Sequence, residues 1–204
     1  MATATGAFQP APDAAVCSPA EVLAFWFGEP AVTSPRPEWF RKDATFDAHI
    51  VQRFGATIAA ALATGLPAWG SEPLTSLARI VVLDQFTRNA FRETPRAFAG
   101  DAQALAAARA LVASGAHLQL QPLQRWFAYL PFEHAEDAGM QAESMRLFDA
   151  LALQHPDLAD ARLWAHKHQQ VIHRFGRYPH RNLVLGRLST PEEAAFLQEP
   201  GSSF

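Results

Sequence analysis

The chain has 204 residues, 49% of them hydrophobic, with fifteen Phe, five Trp and a formal net charge of −3. That is enough apolar material for one buried core and too little chain for two full domains, and it excludes a largely disordered polypeptide. A single cysteine, Cys17, excludes an intrachain disulfide framework and points to a reducing, cytoplasmic setting.

Residues 1–17 lack a basic region followed by an apolar one, so they read as a flexible tail rather than a signal peptide, which leaves 18–204 as a single domain. No run of about 18 apolar residues argues for a membrane span. Ser18-Pro19-Ala20-Glu21 is a capping box with Pro at the first helical position; it opens a helix through Val22, Phe25 and Trp26 that ends near Gly28. Asp43 or Thr45 caps a second helix, in which Phe46, Ile50, Phe54, Ile58 and Leu62 recur every four residues as far as Gly65. A third opens at Ser71 and Pro73 and runs through Leu77, Ile80, Val81 and Asp84 toward Asn89; Val81-Val82 is too short an apolar run to be a strand.

The fourth helix, Asp101 to Ala113, is nearly all Ala and Leu and stops at Gly115. The aromatic fifth, Pro122 to Tyr129, is expected to close at Leu130-Pro131. The sixth begins near Glu136-Asp137, where acids meet the positive end of the helix dipole, and carries Met140, Met145, Phe148 and Leu151. The seventh starts between Asp157 and Asp160 and ends at Gly176, and Ser189-Thr190-Pro191-Glu192-Glu193 announces a short eighth. About eight helices with short connections and no strand give an all-α domain packed as antiparallel helical hairpins.

Three stretches place polar residues where this periodicity asks for core. In LDQFTRNAFR, Asp84, Arg88 and Arg92 stand four apart on one helix face, so Asp84 can pair with Arg88 and leave Arg92 available. In PFEHAEDAGMQAES, His134, Asp137, Gln141 and Ser144 form a polar stripe, with Glu133 and His134 just before the helix start. A carboxylate beside a histidine can orient an imidazole as a general base.

The third stretch is HKHQQVIHRFGRYPHRN. Between Ala161 and Pro191 there are six Arg and Lys residues and no Asp or Glu, which fits a discrete anion site better than a surface that coats nucleic acid. Cations favour a helix C-terminus, which accounts for one or two of the arginines, but not for His173, Arg177, His180, Arg181 and Asn182 together. His166 and His168, two apart on a helix, diverge, and no metal, nucleotide-loop or nucleophile motif is present, so no metal or cofactor is expected.

FWFGE, LDQFTRN with AFRETPRAFAGD, YLPFEHAED, HRFGRYPHRN, LGRLSTPEEAAFL and PGSSF together resemble the bacterial family catalogued as domain of unknown function 924, from Ala20 to Phe204. The resemblance implies an all-helical, tetratricopeptide-like fold and brings no established reaction. Thr87, Ala135 and Tyr178 depart from residues the family favours, and Ala135 removes a hydroxyl beside His134.

The expectation is therefore a pocket for an anionic small molecule, such as a phosphate or carboxylate ester. Asp84, Arg88, Arg92, His173, Arg177, Arg181 and Asn182 bind it, and His134, Asp137 and His180 supply acid or base chemistry. The alternative is a tetratricopeptide-like module for a peptide or protein partner, whose polar stretches are a structural network.

Overall fold

The computed structural model describes residues 15–202, so most of the expected tail lies outside the described residues. Among these residues the fold is all helical: α1 (Pro19–Phe27), α2 (Ala44–Thr64), α3 (Pro73–Ile80), α4 (Thr87–Ala90), α5 (Asp101–Ala113), α6 (Pro122–His134), α7 (Ala138–Gln154), α8 (Ala159–Phe175) and α9 (Pro191–Phe196), joined by short turns. The packing of α6 on α7 and of α7 on α8 is the most extensive, consistent with consecutive helical hairpins.

The capping signals set the helix starts. Ser18 and Glu21 exchange hydrogen bonds at α1, as do Thr190 and Glu193 at α9, and Asp43 accepts from the amides of Thr45 and Phe46 at α2. Trp26, Trp39, Phe54, Phe86 and Phe127 interlock in the core, for example Trp39 on Phe127 at 4.7 Å and Trp26 edge-on to Phe127 at 5.5 Å. Such pairs add roughly 0.5–1.5 kcal/mol each beyond the area they bury.

Two departures from the expected pattern shape the site. The expected third helix is not uniform: between α3 and α4 the run Val81–Phe86 winds as a π turn. The wider turn brings Val81, Val82, Leu83, Asp84, Gln85 and Phe86 all into buried positions, so Asp84 faces the interior rather than an exposed helix side. Gly100, the residue before α5, packs against this turn so closely that a Cβ there would stand 2.1 Å from the carbonyl oxygen of Leu83.

The fifth expected helix does not close at Leu130-Pro131. α6 runs through Pro131 to His134, because Leu130, Pro131, Phe132 and Glu133 are all buried and tertiary packing outweighs the one backbone hydrogen bond that Pro131 cannot donate. Glu133 and His134 thus form the last turn of a helix instead of preceding one.

Gly100→Ala is expected to lower stability by about 3 kcal/mol, the upper part of the range for overpacking, because its methyl group meets backbone rather than a movable side chain. Urea unfolding reads this directly; an unchanged midpoint would show that the approach of Gly100 to Leu83 is not tight.

Candidate functional site

Where the π turn, the end of α6, the middle of α8 and the turn Pro179–Arg181 meet, titratable side chains gather below the surface. Asp84 is fully buried. His134 Nδ1 lies 2.8 Å from Asp84 Oδ1, Arg88 Nη1 lies 3.1 Å from the same oxygen, and Gln85 donates to Oδ2 at 2.6 Å. Burial alone would push the Asp84 carboxyl up; Arg88 and His134, with the hydrogen bonds from His134 and Gln85, hold it well below the usual carboxylate range. It is therefore ionised at neutral pH and acts only as an acceptor.

The state of His134 follows from that. Burial pushes its imidazolium form down and Arg88 adds to the effect, against the opposing pull of Asp84, so the ring is neutral at pH 7. A neutral imidazole facing a carboxylate carries its proton on Nδ1, which leaves Nε2 as the basic nitrogen. Nε2 makes no hydrogen bond to any described residue, and the side chain is 13% exposed.

Arg88 also forms a two-pronged pair with Asp101 at the start of α5, at 2.9 and 3.1 Å. Arg181 Nη1 is 3.5 Å from the same carboxylate, and its guanidinium lies over the rings of Tyr178 at 4.5 Å and Phe98 at 4.7 Å. Arg181 is 6% exposed, and its Nε has no hydrogen-bond partner among the described residues. Burial and the neighbouring Arg88 push its value down to about 10, so it remains a cation at neutral pH.

Behind this front lies a second carboxyl. Glu133 is almost fully buried, with Oε1 3.0 Å from His168 Nδ1 and with Oε2 lacking a partner among the described residues. Burial, reinforced by the charge of Asp84, pushes Glu133 up to about 8, so it is largely protonated at pH 7. Burial and His134 push His168 down to about 3, and burial and Arg181 push His180 down to about 4; both rings are neutral. The His134 and His168 rings stand 6.3 Å apart, which lines up Asp84, His134, His168 and Glu133 as a row.

The structure brings Asp84, Arg88, His134, His180 and Arg181 together and places the other expected residues elsewhere. Arg92 is not available: it pairs with Asp47 of α2, which also accepts from Asn89 at 2.7 Å. Asp137 is exposed and accepts from the amide of Met140 as the N-cap of α7. His173 is exposed on α8. Arg177 binds Glu193 at 2.6 and 2.8 Å, and Asn182 donates to Glu193 and Ser189 while accepting from Arg187.

Three contributors lie outside the site residues expected from sequence: Asp101, Glu133 and His168. His168 shares a buried stripe of α8 with Ala161, Ala165 and Ile172, at spacings of four, three and four, which is a legible signal. Gln141, part of the expected polar stripe, is buried against the C-terminal end of α6: its Nε2 donates to the carbonyls of Glu133 at 2.7 Å and Ala135 at 2.9 Å. Among the described residues no group of three or more His, Cys, Asp or Glu is arranged to hold a metal ion, and no helix is long and apolar enough to cross a membrane.

A single all-helical chain with a buried acid–histidine–arginine cluster is the class of protein that fold and site define. The family model described as "Bacterial protein of unknown function (DUF924)" matches residues 22–201, and the chain belongs to that family. A solved structure of a protein of unknown function from Agrobacterium tumefaciens is similar, with a TM-score of 0.77 and 36% identity over 88% of this chain and 96% of that one. No curated protein matches.

Glu133 makes the stability of this site depend on pH. Its value is raised on folding from about 4.3 to about 8, so its contribution is fully present below about pH 4 and is lost as pH rises through 8. Glu133→Gln removes that loss; relative to the unmodified chain it is expected to gain stability between about pH 4 and 8 and to level off above. A stability difference that stays flat across this range in urea titrations would contradict a buried, neutral Glu133.

Proposed function

We propose that the Asp84 cluster is an acid/base site that binds a small anionic substrate and hydrolyses it, a phosphate or carboxylate ester being the class that suits its groups. The observation that carries this reading is the His134 imidazole, which is held through Nδ1 by a buried, ionised carboxylate while its Nε2 makes no hydrogen bond to a described residue. The side chain is 13% exposed, so Nε2 is open to a water or a bound ligand.

In this reading Asp84 orients His134 and stabilises the charge that develops on it, and Nε2 takes a proton from water as the water attacks the substrate. Arg181, with unused donors in a nearly dry setting, holds the anionic group; Arg88 is already saturated by Asp84 and Asp101 and acts by fixing both. Glu133, neutral at pH 7, is the proton source for the leaving group. Two carboxyls pushed in opposite directions by their surroundings are a recurrent arrangement in acid/base enzymes. Asp137, His173, Arg177, Arg92 and Asn182 have no part in the chemistry on this account.

The test combines binding and turnover. A panel of nucleotides, sugar phosphates, organic acids and nitrophenyl esters is screened by thermal shift and by nitrophenolate release. A ligand present at 100 times its dissociation constant should stabilise the protein by about 2.7 kcal/mol. Arg181→Met is expected to abolish that stabilisation, and His134→Asn to preserve binding while lowering kcat by about a hundredfold or more. If no member of the panel binds, or if His134→Asn turns over a bound ester as fast as the parent, the proposal fails.

A further inference from the structure

Away from the Asp84 cluster, the end of α5, the following turn and the facing sides of α6 and α7 enclose a cleft of about 260 Å³. No residue of the cluster lines it. Val112, Leu147 and Leu151 give the lining an apolar part, and Arg125 and Tyr129 of α6, His117 of the turn and Arg146 and Gln154 of α7 give it a polar one.

One of these groups carries a donor that the described residues leave unused. Tyr129 lines the cleft and is 3% exposed, and no described residue takes a hydrogen bond from its hydroxyl, which leaves that donor to whatever occupies the cleft. Burial pushes its phenol up to about 12, against the fields of Arg125 and Arg146, so it remains an O–H donor throughout the physiological range. The His117 ring meets Tyr129 edge-on at 5.8 Å and is engaged by the backbone of Leu111.

Arg125 provides the charge. Its guanidinium is fixed by the carbonyls of Leu120 at 2.9 Å and Leu118 at 3.0 Å and by Gln154 Oε1 at 3.1 Å, yet it has no carboxylate partner among the described residues. Three of its five N–H groups are used in this way, and two remain. Arg146, the other cation at the cleft, is neutralised by Glu143 at 2.6 Å. A fixed, uncompensated cation beside an unused phenol donor and an apolar part of the lining is the complement of a carboxylate with a short hydrocarbon tail.

We propose that this cleft is a second ligand site, one that takes a small monocarboxylate with its carboxylate on Arg125 and the Tyr129 hydroxyl and its tail among Val112, Leu147 and Leu151. The cleft has the volume of about nine water molecules at ~30 Å³ each, which suits an acid of about six carbons. The site is independent of the hydrolytic reading of the Asp84 cluster.

The experiment uses the full chain, methyl-labelled at Leu and Val, titrated with hexanoate and separately with 1-hexanol. Hexanoate is expected to bind saturably and to shift the methyl signals of Val112, Leu147 and Leu151, with hexanol at least about tenfold weaker. Tyr129→Phe, which conserves shape, should weaken hexanoate about tenfold and leave hexanol unchanged. Arg181→Met should leave hexanoate binding here untouched, which separates this site from the other one. Equal affinity for the acid and the alcohol, an unchanged hexanoate affinity in Tyr129→Phe, or no shift at these methyl groups would each overturn the proposal.

Discussion

The fold is organised around one demanding interaction, the burial of an ionised carboxylate at Asp84. An unpaired charge in such a position costs several kcal/mol, and removing one partner of a buried pair typically costs about 3–5 kcal/mol. The partners of Asp84 come from different segments: Gln85 from the π turn, Arg88 from the helix that follows, and His134 from the end of α6. Charge then alternates outward, from Asp84 to Arg88, Asp101 and Arg181. Gly100 lets α5 approach closely enough for Asp101 to enter this series.

The segment RFGRYPHRN divides into a brace and a working part. Gly176 ends α8 with a φ of 70°, and Tyr178 is extended before Pro179. Arg177 and Asn182 both converge on Glu193, which at the same time completes the capping box of α9. Arg187 pairs with Glu136, whose carboxylate also accepts from the amide of Tyr178. Held on both sides by these pairs, the turn Pro179–Arg181 delivers His180 and Arg181 to the Asp84 cluster with little freedom to move.

Much of this was legible in the sequence. Caps, Pro and Gly punctuation and four-residue apolar spacing located the helices, because these signals are local. The Asp84–Arg88 pair was legible as a spacing of four, and the concentration of His and Arg near residue 180 as a charge pattern. Pairings between distant segments were not. Nothing local distinguishes Arg92, which meets Asp47 of α2 in a partly exposed pair, from Arg181, which stacks on two rings, and nothing local shows that Pro131 sits inside a helix. The π turn was illegible for the same reason: one extra residue in a turn leaves the composition unchanged but rotates Asp84 inward. Pro131 is a stop signal in sequence that would leave Glu133 and His134 ahead of the next helix, and the burial of its neighbours overrides that signal.

The central claim is that buried, ionised Asp84 fixes His134 as a neutral base. Nitrogen-15 NMR of the histidine side chains tests it most directly. At pH 7 the account predicts for His134 a protonated Nδ1 and an imine-type Nε2, a pattern that persists as pH rises and that is lost in Asp84→Asn. A His134 that carries its proton on Nε2, or a pattern indifferent to Asp84→Asn, would contradict it.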